Sequence, residues 1–135
     1  NNILNNYTYI THLIRCYIMN KRPWDAWNLY LKIENNNVAN SYNILKLIGN
    51  DCYKVGLFYY SAKAFDILQN IDNLPKYWIA KRASCIGVFQ SIINGNEIKE
   101  HLFDVINMLT NDNNPQANFI VRIINQWCYK NNVHP

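Results

Sequence analysis

Two stretches of this chain match one another, residue type for residue type, at a fixed offset of 35 positions. Ile10 pairs with Leu45, Leu13 with Ile48, Tyr17 with Cys52, Ala26 with Ser61, Tyr30 with Phe65 and Ile33 with Leu68, and each pair is apolar or small in both copies. Such a recurrence requires stacked copies of one supersecondary unit, because a single unit of that size cannot bury its own apolar face. Inside each copy the apolar positions fall three and four residues apart, which is the period of a helix and not of a strand.

A period near 34 residues, with a small residue in the second helix and an aromatic one turn later, is the tetratricopeptide signature of two antiparallel helices per repeat. The first helix carries a bulky stripe, Leu13 and Tyr17 in one copy and Ile48 and Cys52 in the other. The small Ala26 or Ser61 lets the second helix approach closely. Tyr30 or Phe65 then fills the space towards the next hairpin, and Leu68 completes the stripe. Gly56 stands where the turn between the two helices calls for a positive φ. In the first copy that position is Lys21, and Pro23 opens the second helix where its missing N–H costs nothing, so a different turning device is expected there.

Along the chain the pattern predicts helices over 7–20, 23–34, 38–55, 58–70, 76–94, 97–111 and 115–131. Asn114 is the expected N-cap of the last one, whose Phe119, Ile120, Ile123, Ile124 and Trp127 are expected to make a broad apolar face. The fold class is therefore all-α, a right-handed α-solenoid of tetratricopeptide-like hairpins closed by a C-terminal capping helix. One domain over 1–135 is expected, with repeats at 7–36 and 38–72, an irregular third hairpin at 76–111 and the cap at 115–131. The amino end begins at Asn1 and shows no cap, so the expectation is a piece of a longer chain with further repeats upstream.

Composition agrees. Hydrophobic residues make up 50% of the 135 positions and charged ones only 16%, which is ample for a packed core and unlike a disordered tail. Four glycines and four prolines are too few for a chain of tight β-turns, and Asn94-Gly95 follows a helix-period stretch, which marks a helix C-terminus. Asn runs such as Asn35-Asn36-Asn37 fall where helices should end, and we read them as compositional bias. No apolar run approaches the roughly 20 residues that cross a bilayer, so direct membrane insertion is not expected.

The net charge of +4 is spread along the chain and not clustered into a nucleic-acid footprint. Cys16, Cys52, Cys85 and Cys128 form no Cys-x-x-Cys pair and read as reduced, mostly buried thiols. His12 and Cys16 stand at i and i+4, but a metal centre needs at least a third protein ligand and none is in evidence. Glu97 and Glu100 are expected in the first turn of a helix, where the dipole favours negative charge, and not as an acid–base pair. The serines lack nucleophile-elbow glycines, and no Gly-rich phosphate loop is present. No enzyme site and no cofactor are expected. Trp24, Trp27, Trp78 and Trp127 with Tyr7, Tyr9, Tyr59 and Tyr60 could be taken for a base-stacking platform, but most aromatics lie at packing positions of the repeat. A peptide clamp of the cochaperone kind needs Lys and Asn on first helices. Lys46 and Asn50 fit, but the next hairpin has Arg82 in place of the Asn, and the first has Thr11 and Arg15. Trp78, Lys81 and Arg82 join Lys46 and Asn50 as candidate partner contacts.

Longer runs are more specific than the generic repeat. The stretches from Leu13 to Lys21, Ala26 to Lys32 and Asn50 to Asp66 closely resemble the intraflagellar transport protein fifty-six family. Those proteins are also called tetratricopeptide repeat protein twenty-six. Tyr77-Trp78, Lys81-Arg82, Cys85 to Gln90, Asn114-Pro115-Gln116 and Arg122-Ile123 extend the likeness over nearly the whole chain, as the family's C-terminal portion. The resemblance implies a non-catalytic scaffold that binds other subunits of the intraflagellar transport particle B. It also implies a place in the cilium or flagellum, the basal body and the cytoplasm, and no nucleic acid. The chain departs from the family in its Asn-rich loops and in Trp24-Asp25 after Pro23. A stand-alone peptide-binding module of the cochaperone type is the alternative.

Overall fold

A computed structural model describes residues 6–33 and 38–134, so the Asn35–Asn37 run and the expected end of the second helix at Glu34 lie outside the described residues. Within them the chain is wholly helical, with no strand: α1 (Tyr7–Met19), α2 (Pro23–Ile33), α3 (Val38–Lys54), α4 (Phe58–Ile71), α5 (Pro75–Ile93), α6 (Glu100–Thr110) and α7 (Pro115–Lys130). This is an all-α, tetratricopeptide-like arrangement of hairpins. The chain divides into two compact units, one ending at Ser84 and the other beginning at Cys85.

In the first unit α1 packs on α2 and α3 on α4, and α3 also touches α1 and α2. Its core gathers Ile10, Ile14, Ile18, Ala26, Trp27, Tyr30, Ile44, Leu45, Ile48, Cys52, Phe65 and Leu68. The small residues act as the pattern requires. Ser61 is fully buried and its hydroxyl donates to the Gly49 carbonyl at 2.9 Å, while the Ser84 hydroxyl lies 2.9 Å from it and donates in turn to the Ala80 carbonyl at 2.8 Å. Each buried hydroxyl thus has a partner, which removes the cost of its desolvation. The Phe65 ring lies against Gly49.

The ends of α1, α3 and α5 are built alike. Lys21, Gly56 and Gly95 have φ of 61°, 80° and 78°, and the next residue's N–H reaches back to the helix, Arg22 to Tyr17, Leu57 to Cys52 and Asn96 to Ser91, each at 2.8 Å. That pattern is the Schellman stop. The expectation of a different device at Lys21 is corrected: lysine adopts the same left-handed corner as glycine. Its ammonium donates to the Val55 carbonyl at 3.2 Å, which ties the first corner to the second.

The second unit holds α6 packed on α7. Asn114 caps α7, its side chain accepting from the Gln116 N–H at 2.9 Å. Two expectations are corrected here. α6 starts at Glu100 and not at 97; Glu97 lies ahead of the helix, where its carboxylate accepts from the Ile98 N–H and pairs with His101 Nδ1, both at 3.0 Å. The inward face of α7 is Ala117, Ile124 and Cys128, whereas Phe119 and Ile123 are exposed.

Candidate protein interface

The residues selected for repeat packing sit as follows. Ala26, Tyr30, Ile48, Cys52, Ser61, Phe65 and Leu68 are buried, Gly56 is at an exposed corner, and Leu13 and Tyr17 are half-buried beside the deeper Ile14 and Ile18. A third copy of one position escaped the sequence reading. Tyr7, Tyr42 and Tyr77 are spaced by 35 residues near the starts of α1, α3 and α5, and the Tyr42 and Tyr77 hydroxyls meet at 2.5 Å. A search for one aromatic at the repeat offset would have found them.

Among the candidate partner contacts, Asn50 is exposed, and Lys46 is half-buried with its ammonium 5.6 Å from the Tyr42 ring centre. Trp78 and Lys81 are buried within the described residues. Lys81 is turned inward because Asp66 receives its ammonium at 2.8 Å and Gln69 Oε1 accepts from it at 3.2 Å, so a charge that would be costly alone is paired. Arg82 is half-buried and bonded within the fold. The repeat offset of 35 places Lys81 and Cys85, not Arg82, opposite Lys46 and Asn50, which corrects the clamp register.

The aromatic residues mostly serve packing. Trp27, Tyr59 and Tyr60 surround the Lys63 ammonium, with ring centres 4.9, 5.3 and 5.5 Å away, an arrangement of cation–π contacts that links α2 to α4. Trp24 stands out at the start of α2, half exposed.

His12 and Cys16 are both exposed on α1, and no group of three metal-ligating side chains gathers among the described residues. Burial, with the Asp51 charge adding to it, pushes the Cys52 thiol up to about 12, and burial raises Cys128 as well. These thiols are held in the protonated, unreactive form.

Part of the open surface of the second unit lies along α7. Tyr129 is 81% exposed and Phe119 59%. Two shallow grooves share Asn125 and Tyr129 as common walls; one continues past Arg122 and Lys130, the other between Phe103 and Val133. Neither groove has an Asp or Glu in its lining. Uncharged amides, an aromatic ridge and two cations suit a polypeptide partner better than a small-molecule reaction.

Comparison with known proteins gives two concordant findings. The model of the family described as Intraflagellar transport protein 56 matches residues 1–135. A curated Caenorhabditis elegans protein, the intraflagellar transport protein 56 homolog, is 30% identical over 129 residues, covering 93% of this chain. The chain spans about a fifth of that relative's own length, 22%.

Proposed function

Because the chain belongs to the intraflagellar transport protein 56 family, we propose that it is a non-catalytic scaffold segment of the intraflagellar transport particle B. It binds other subunits through its outward helix faces and serves cilium assembly and protein transport in the cilium or flagellum, passing through the basal body and cytoplasm. The observation that carries this reading is the family match over the chain's full length. Stacked hairpins suit the role, since they present side surfaces far larger than a compact domain of equal length offers. Trp24, Tyr129 and Phe119 are aromatic side chains free to act as anchors on such surfaces.

The test is fractionation of a ciliary extract containing the tagged full-length protein. Co-migration with particle B subunits in fixed stoichiometry is the expected result. Migration as a free monomer, with the particle intact in other fractions, refutes the reading.

A further inference from the structure

α7 ends as α1, α3 and α5 do. Asn132 has φ of 56°, and the Val133 N–H reaches back to the Cys128 carbonyl at 2.9 Å, the same left-handed stop that precedes a second helix at Lys21 and Gly56. Counting back from that stop lets the first helices be compared position by position. Three, seven and eleven residues before it, α1 has Ile18, Ile14 and Ile10, all buried, and α5 has Ile92, Val88 and Ser84, all buried. In α3 the middle position is Gly49, covered by the Phe65 ring of α4, and the inner one is the buried Leu45, with Tyr53 half open. The same count on α7 gives Tyr129, Asn125 and Val121. Here the described residues leave the stripe largely open: Tyr129 and Asn125 are exposed, Val121 is half-buried, and all three line the groove along α7.

We infer that the Val121–Asn125–Tyr129 stripe, left open by the described residues, receives an acidic amphipathic helix from another protein. The charge around the stripe argues for that occupant. Arg122 and Lys130 flank it, His134 stands at its end, and α7 has no Asp or Glu anywhere along its length. Neither Arg122 nor Lys130 is held in an ion pair among the described residues. A second copy of this chain brought face to face would set these cations against each other, which disfavours self-association through this surface. An incoming helix with apolar residues at i, i+3/i+4 and i+7 and carboxylates on its margins meets Tyr129 as the anchor and Arg122 and Lys130 as the rim.

This proposal rests on the scaffold reading, and its test separates the two. A photo-cross-linking aromatic amino acid is placed at position 129 of the full-length protein in ciliated cells, and the captured peptide is identified by mass spectrometry. The expected capture is a segment of a different protein, of helical period, with more Asp and Glu than Lys and Arg. Arg122→Glu with Lys130→Glu should cut the yield by about tenfold or more, as for charge reversal at a complementary interface. Capture of a later segment of the same chain, of a second copy, or of a segment without an acidic excess overturns the proposal. So does a yield unchanged by charge reversal, or no capture while the protein still co-fractionates with the particle. Loss of co-fractionation in the unmodified protein instead refutes the scaffold reading itself.

Discussion

The ring of Phe65 on α4 lies so close over Gly49 on α3 that a β-carbon at position 49 would stand 2.9 Å from its Cζ. The contact exists because Gly49 has no side chain and because Ser61, one turn before Phe65, holds the Gly49 carbonyl. Phe65 is almost fully buried, so the ring has no solvent to retreat into. Gly49→Ala should therefore destabilise by about 1–3 kcal/mol through overpacking, although alanine is the better helix former. Phe65→Ala should cost about 3–5 kcal/mol through the cavity it leaves. In urea melts the double variant should lose clearly less than the sum of the two, because the alanine at 49 no longer meets a ring. Additive losses would mean that the two residues do not touch.

Lys81 and Asp66 give an asymmetric pair of outcomes. Asp66→Asn removes the carboxylate that the buried ammonium faces at 2.8 Å, at a cost of about 1.5–3 kcal/mol. Lys81→Met keeps the volume, removes the buried charge and should be much milder. Equal losses in the two variants would argue against burial of Lys81.

Stability should fall on the alkaline side. The Tyr42 hydroxyl is pushed up to about 12, first by its hydrogen bond with Tyr77 and then by burial, and Cys52 reaches about 12 by burial. The unfolded chain releases these protons nearer the ordinary values of 10.0 for the tyrosine and 9.0 for the cysteine. The folded state then binds more protons than the unfolded one, so the stabilisation is fully present below about pH 9 and drains away towards about pH 12. Thermal melts across that window should show a falling midpoint, and Tyr42→Phe should flatten part of the slope. In the native protein iodoacetamide should label the exposed Cys16 well before Cys52.

Gly56 isolates a backbone effect. A β-carbon there meets nothing within 4 Å, yet its φ is +80°. Gly56→Ala should cost about 1–2 kcal/mol from the left-handed conformation alone. Denaturant melts of that variant should shift the midpoint with an unchanged slope, since no packing is lost.

Element type was legible in this sequence because the 35-residue offset repeats every structural decision once, so a helix assigned in one copy is checked by the other. For the six helices other than α6, the expected ends that fall on described residues lie within one residue of those of the structure. The start of α6 does not, because Glu97 and Glu100 look alike as first-turn acids, and nothing in the sequence separates the one ahead of the helix from the one inside it. Face assignment failed where the apolar pattern is too rich. α7 carries more apolar residues than α6 covers, so periodicity alone could not rank Ile124 above Phe119 or Ile123. Lys81 reads as a surface residue in any linear pattern. Its burial is decided by Asp66 and Gln69 on the preceding helix, a tertiary fact with no local signal.

The meeting of Tyr42 with Tyr77 bears on which lengths of chain evolution is free to change. The two phenols stand 35 residues apart, at the repeat offset, with the whole of α4 between them. One extra residue inserted into α4 turns everything beyond it through about 100° and carries Tyr77 off the face it shares with its neighbour. Added residues between Asn96 and Glu97 lie outside both the Schellman stop of α5 and the Glu97–His101 contact and disturb no such register. Natural length variation should therefore collect after α5 and be absent from α4 itself.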